Sequence, residues 1–463
     1  MKSFGFNKIF IAAILSLLSV RILFFLDYSA LLWDSAVYVS MGKFLFSLGT
    51  QGLWEHIRPV IWPFFLGFFW RIGLDPVLFG SMLELLLFAG CLLLIKLFVG
   101  RYYGENAGIM SSVLLGTSAI FFYESFNLYT EIPSLFFILL ALVLFEKKAF
   151  FAGFSLALAF ITKFPVGIFL PVIIIAYLIE KRWKNSVISF AGFSIPSIIF
   201  LISNKIAYGS ALLPLIDASS AIRNVLGCNV LHYHPWTDYF IYLWKDNYFF
   251  VFALLGMFLC AINWRKFSLP LLSLLVPLIY FLQLHCREHR YLIFVIPFVI
   301  FFASGGLSYV VAKLEKRFKR KLFVFVIIVL LFYGIHNSVQ FYRNAAEPRD
   351  SALEAYLHFI ENKDVSGEVW SSNPGIGVYS SVPVKKIYYP VFDASLAASF
   401  ASYLEKNKEK ISYVFLDNCG GGIICPDSTC EAEYAGILKQ LSTFSLDYNV
   451  TEGKCSYLVF SRA

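Results

Sequence analysis

The chain has 463 residues, of which 59% are hydrophobic and only 15% charged, with a mean hydropathy of +0.72. Set against the roughly 45–50% apolar and about 25% charged residues of a soluble protein, this excludes a soluble enzyme and implies a polytopic membrane protein. The net charge of +8 does not call for nucleic acid, because the basic residues collect in alternate short loops between apolar runs.

The predicted elements begin with Lys2 and Lys8 ahead of an apolar run from Ile9 to Leu26. No small-residue cleavage site follows it, so it reads as a signal anchor and first transmembrane helix. Further apolar runs fall at 77–99, 106–123, 132–146, 150–163, 164–180, 186–206, 247–263, 268–284, 291–311 and 322–341. With a helix needing ~20 residues to cross the hydrocarbon layer, the expectation is about 11 transmembrane helices. Arg101, Lys147, Lys148, Lys181, Arg182, Lys184, Arg265, Lys266 and the run from Lys313 to Lys321 mark the cytoplasmic loops, which gives an N-in/C-out topology. The outer side then receives 27–76, 124–131, the neighbourhood of Lys163, 207–246, 285–290 and everything after 342.

Within the first outer segment, Leu53 to Ile72 is aromatic and amphipathic, the pattern of a helix lying in the interface. The loop 207–246 carries Tyr208, Tyr233, Trp236, Tyr239, Tyr242 and Trp244, which suits an interfacial belt or stacking on sugar rings. Two domains are expected, a membrane domain over 1–343 and a small extracytoplasmic α/β domain over 344–463. In the latter the pattern predicts helices at Ser351–Asn362, Ala394–Lys406 and Glu431–Ser442, and strands at Val365–Trp370, Val384–Tyr389, Tyr413–Asp417 and Ser456–Phe460, with a turn at 372–375. Cys419, Cys425, Cys430 and Cys455 are disulfide candidates of open connectivity in an oxidising compartment, and Asn449-Val450-Thr451 is a glycosylation sequon.

The polar residues at the outer ends of the apolar runs are Asp34, Arg58, Glu131, Lys163 and the cluster His285, Arg287, His289 and Arg290. The chain has no phosphate-binding glycine loop or nucleotide fingerprint, so a sugar donor should be lipid-borne. Transfer from a lipid monophosphate needs a base for the acceptor hydroxyl and positive charge for the departing phosphate, whose second pKa near ~6 lets it leave without a proton. Asp34 is the candidate base. Arg58, Lys163, Arg287 and Arg290, with His289 when protonated, are the candidate phosphate clamp, since guanidinium groups match phosphate oxygens in pairs. Glu131 can orient the acceptor, raise the basicity of Asp34 or cap its own helix. Tyr38, His56 and Trp236 are candidates for contact with acceptor and sugar. His232, His234 and Asp238 are the one further cluster that could chelate a metal, but no metal or other cofactor is expected. Glu84 and Lys96 lie inside a span and read as packing residues.

The order of these motifs resembles the polyprenyl-phosphate-sugar-dependent transferases of the C-type (GT-C) membrane glycosyltransferase superfamily, which includes the protein O-mannosyltransferases and the aminoarabinose transferases of lipid A. The resemblance rests on Asp34 in the first outer loop, Arg58-Pro59, Tyr129-Thr130-Glu131-Ile132-Pro133, Phe160-Ile161-Thr162-Lys163-Phe164-Pro165 and Arg290-Tyr291-Leu292-Ile293-Phe294-Val295-Ile296-Pro297, and it covers 8–341. Arg58, Glu131 and Phe164 stand where many members have Lys, Asp and Gly. The resemblance implies a GT-C fold and inverting transfer of mannose or another hexose or pentose from a polyprenyl or dolichyl monophosphate to an extracytoplasmic protein, lipid or glycan. The partners would be that donor, the acceptor and membrane lipid, with no nucleic acid. One rival is a ligase or oligosaccharyltransferase with a lipid diphosphate donor, although the paired acids and Trp-Trp-Asp motif expected of a metal-dependent oligosaccharyltransferase are absent. A second is a transporter or flippase, which would place its charges midway through broken spans.

Overall fold

The computed structural model describes residues 8–25, 31–223, 235–284, 287–313, 319–345, 351–387, 394–418 and 428–462. The chain divides into two compact units, one comprising Met1–Tyr28, Ser81–Leu212 and His234–Ala346, the other Ser29–Gly80, Leu213–Tyr233 and Glu347–Ala463.

The first unit is helical, and every apolar run expected to span carries helix. Four helices are long and apolar enough to cross a membrane alone, namely Pro76–Tyr103, Trp183–Tyr208, Ile296–Lys313 and Lys321–Asn344; Thr237–Asp246 and Tyr248–Ala261 make a fifth if taken as one span bent by 117°. Glu131–Leu144, Ala149–Thr162, Phe164–Ile179 and Ser268–Leu282 are shorter apolar helices. Small residues let the helices approach closely: a Cβ on Gly153 would lie 1.8 Å from the Ser189 carbonyl oxygen, and one on Gly192 2.1 Å from that of Phe150. The outward face of Trp183–Tyr208 is a row of exposed isoleucines, Ile188, Ile195, Ile199, Ile202 and Ile206, as lipid contact requires.

The second unit is built on a five-stranded sheet ordered β2-β1-β3-β5-β4, where β1 is Glu368–Ser371, β2 Val384–Lys386, β3 Ile411–Asp417, β4 Ser445–Glu452 and β5 Cys455–Ser461. β1 pairs in parallel with β2 and β3, whereas β5 is antiparallel to β3 and β4. The expected helices appear at Ser351–Leu357, Ala394–Asn407 and Ser428–Gln440. The predicted turn at 372–375 leads into a short helix, Gly375–Tyr379. β4, unforeseen, is a polar edge strand that holds the exposed sequon residue Asn449. Cys455 is disulfide-bonded; Cys419, Cys425 and the side chain of Cys430 lie outside the described residues, whereas Cys91 and Cys260 are free.

The compact units do not follow the division at 343/344 read from composition, because 29–80 packs with the C-terminal segment. Lys43 Nζ, on the helix Trp33–Phe46, donates to the carbonyls of Val378 and Ser380 at 2.6 and 3.0 Å. The amide of Val384 in β2 donates to the Gly52 carbonyl at 2.7 Å. Gly52 has φ of +81° with the Ser40 carbonyl oxygen 2.2 Å from where a Cβ would stand, so only glycine fits this loop.

The amphipathic stretch 53–72 contains one helix, Ile61–Arg71. It buries Trp62, Leu66 and Gly67 and exposes Phe64, Phe65, Phe68 and the following Ile72, an apolar outer face suited to the interface. It crosses Trp33–Phe46 at two glycines, a Cβ on Gly67 falling 2.3 Å from the Gly42 carbonyl oxygen. Gly67→Val is therefore expected to destabilise this unit by about 1–3 kcal/mol through overpacking. Thermal unfolding of the purified variant checks this, and an unchanged midpoint would mean that the two helices are not in contact there.

Candidate active site

Each unit gathers its own cluster of charged residues. In the sheet-containing unit Asp34 sits in the first turn of Trp33–Phe46, where the helix N-terminus favours an acid. Its Oδ1 lies 2.7 Å from Arg58 Nη1. Arg58 Nε in turn donates to Glu55 Oε2 at 3.0 Å within a tight turn, and Glu55 Oε1 accepts from Lys386 Nζ of β2. The four charges alternate in sign and cancel. Glu55 is fully buried and Lys386 nearly so, whereas Arg58 and Asp34 keep 20% and 12% of their side chains exposed. Burial alone would raise Glu55, but the charges and hydrogen bonds of Lys386 and Arg58 outweigh it and hold it below the usual carboxylate range. For Arg58, burial is likewise overcome by Asp34, Tyr38 and Glu55, and the guanidinium stays charged at all accessible pH. Tyr38 is buried with its ring 5.6 Å from the Arg58 guanidinium carbon, and the Trp33 ring lies 4.5 Å from Lys386 Nζ. His56 Nε2 meets Asp217 Oδ2 at 2.7 Å, both side chains half-buried.

In the helical unit Glu131 opens the helix Glu131–Leu144 and Lys163 closes Ala149–Thr162, so each charge has the sign its helix end prefers. Lys163 Nζ donates to Glu131 Oε1 at 2.8 Å, and Arg290 Nε stands 3.7 Å from the same oxygen. Glu131 is buried. Arg290 is the second residue of the 3-10 turn His289–Phe294 and bonds Glu288, with Nη2 3.1 Å from Oε1. The rings of Tyr129 and Tyr291 flank its guanidinium at 5.5 and 5.9 Å. His289 Nε2 lies 3.9 Å from Glu124 Oε1. Burial first, and Glu131 second, push Glu124 up to about 8. Arg287 donates to the Leu282 carbonyl at 3.0 Å. Deeper lie Glu84, which accepts the Leu128 amide at 3.1 Å, and Arg21, which bonds Ser125 with its guanidinium 3.5 Å from the Phe126 ring.

Thus the structure joins Asp34, Tyr38 and Arg58 in one unit and Glu131, Lys163 and Arg290 in the other, while Trp236 is 57% exposed and stacks edge-on against Phe240. His285, His232 and His234 lie outside the described residues. Among the described residues no three His, Cys, Asp or Glu side chains gather as a metal-holding group. Glu55, Lys386, Glu124, Glu288 and Asp217 are the partners that sequence reading missed. A cavity of ≈ 400 Å³ lined by Arg101, Glu146, Glu180 and Lys266 opens in the helical unit. It lies at the far end of Glu131–Leu144 from Glu131, on the side of the basic loops, and takes no part in the clusters above.

The family model for dolichyl-phosphate-mannose-protein mannosyltransferases matches residues 57–205, a stretch holding Arg58, Glu131 and Lys163. No curated protein matches the chain by sequence. Among solved structures, ArnT from Cupriavidus metallidurans bound to undecaprenyl phosphate superposes with a TM-score of 0.70 at 11% identity, over 98% of this chain and 97% of that one. The oligosaccharyltransferase AglB from Archaeoglobus fulgidus, in complex with an inhibitory peptide and a dolichol-phosphate, gives 0.64 at 12% identity over 98% of this chain and 74% of that one. The chain therefore has the fold of the GT-C membrane glycosyltransferases, with the dolichyl-phosphate-mannose-protein mannosyltransferase signature over about a third of its length.

Proposed function

We propose that the protein transfers a sugar, mannose or another hexose or pentose, from a polyprenyl or dolichyl monophosphate to an extracytoplasmic acceptor. The observation that carries this reading is the partly buried Asp34–Arg58 pair, in the segment that the Lys/Arg bias assigns to the outer side, within a fold that in ArnT holds undecaprenyl phosphate. Asp34 takes the proton of the acceptor hydroxyl as its oxygen bonds the anomeric carbon, and the bond from that carbon to the phosphate oxygen breaks on the opposite face, inverting the centre. The polyprenyl phosphate leaves unprotonated, its charge met by Lys163, Arg287 and Arg290, with His289 when protonated. Arg58 orients Asp34. Glu131 fixes Lys163. Tyr38, His56 and Trp236 are the side chains proposed for acceptor and sugar. The Lys/Arg bias of the loops supports an outer placement of this machinery and of the sheet domain.

A second reading, transfer from a lipid diphosphate as in an oligosaccharyltransferase, is favoured by the likeness to AglB. Release of free lipid phosphate by the purified protein in EDTA, over a panel of polyprenyl monophosphate sugars, separates the two. Turnover with one donor is expected and names the sugar; turnover only with a diphosphate donor and a divalent cation would transfer the protein to the second reading.

A further inference from the structure

Lys386 is a cation of the soluble-domain sheet that ends up inside the first-loop cluster, 331 residues along the chain from the acid it bonds. We infer that Lys386 is a positioning residue for the transfer reaction, holding Glu55 and through it Arg58 in the orientation that presents Asp34. This rests on the role proposed above for Asp34.

The geometry carries the inference in three steps. Glu55 is fully buried, and a carboxylate there is tolerable only with its oxygens paired. Lys386 takes Oε1, which leaves Oε2 for Arg58 Nε. Arg58 is thereby limited to a single bond with Glu55 and turns Nη1 to Asp34 at 2.7 Å. Without Lys386, a bare Glu55 would compete with Asp34 for the guanidinium, whose fork favours two parallel bonds to one carboxylate. Lys386 is itself held in place. The Val384 amide, two residues earlier in β2, bonds the Gly52 carbonyl, and the Ile387 amide, one residue later, bonds the Ser371 carbonyl of β1, both at 2.7 Å. The Trp33 ring caps its ammonium. Its neighbour Lys385 points the other way, to Glu368 on the exposed face, so the strand's alternation commits one lysine of the pair to the cluster.

The experiment compares the full-length wild type with Lys386→Met, Lys386→Arg and the double variant Glu55→Gln/Lys386→Met, recording kcat, KM for donor and acceptor, and the thermal midpoint. A misplacement of about 1 Å at a reacting group can cost ~100-fold. Lys386→Met is therefore expected to lose between tenfold and ~100-fold in kcat at near-constant acceptor KM. Lys386→Arg should restore most of it. The double variant leaves no unpaired buried charge and serves where Lys386→Met does not fold; it should fold yet turn over at least ~10-fold more slowly than wild type, because Arg58 Nε then loses the charged partner that orients it. Wild-type kcat in a folded Lys386→Met or double variant would overturn the role of Lys386 alone. A silent wild type would instead overturn the transferase reading and this role with it.

Discussion

Asp34→Asn is expected to lower sugar transfer by about 10²–10⁴-fold, the range of a general base, while the protein still folds and binds its donor. Asparagine keeps the shape and an oxygen that can accept from Arg58, but it cannot take a proton at neutral pH. Arg58 retains Glu55 at 3.0 Å, so the substitution leaves no bare buried cation, and the partly exposed position of residue 34 limits the cost further. Single-turnover release of polyprenyl phosphate, together with donor binding followed by thermal shift, measures the two halves of the expectation. Near-normal turnover would remove Asp34 as the base, and lost donor binding would make it a binding group instead.

The second large effect is expected at Lys163. Lys163→Met leaves Glu131, 1% exposed, with the Thr130 hydroxyl at 3.4 Å and Arg290 at 3.7 Å as its remaining partners given by the geometry. Breaking a buried ion pair from one side costs about 3–5 kcal/mol, so the single variant should be strongly destabilised and uninformative about catalysis. Glu131→Gln/Lys163→Met removes both charges and should recover most of the stability. If Lys163 also meets the donor phosphate, the double variant still loses one charge-assisted hydrogen bond, about 1.5–3 kcal/mol, or roughly 10–150-fold in donor affinity. Titration with undecaprenyl phosphate decides the matter: wild-type affinity in the stable double variant would reduce Lys163 to a structural partner of Glu131.

Asp34, Arg58, Glu131, Lys163 and Arg290 stand out in the sequence as candidates because a charge next to a long apolar run is costly unless it has a partner or a task. Their partners do not. Glu55 and Glu288 lie next to residues that already drew attention, and the i, i+3 spacing of Glu55 and Arg58 was the available signal. Lys386 offered none, since a strand reading Val-Lys-Lys in a soluble-looking domain does not say which lysine faces inward. The membrane helices followed from apolar length, but several stop after 10–17 residues, as at Lys163, where Phe164-Pro165 opens a 3-10 turn. The sheet domain was recognised by its alternating pattern, and β4 escaped because an edge strand with a solvent-facing polar sequence lacks that alternation. The grouping of 29–80 with the C-terminal segment depends on contacts of very long sequence separation, which no local pattern encodes.

That separation also dictates a timetable for biosynthesis. Glu55 leaves the ribosome 331 residues before the lysine that neutralises it, a delay of roughly 20–70 s at 5–20 residues per second. Throughout that interval Glu55 lacks the cation that it meets in the folded unit, and only synthesis of β2 lets the cluster close. A nascent or prematurely terminated chain that ends before β2 would thus carry this cluster incomplete, with Glu55 and Arg58 present and Lys386 missing.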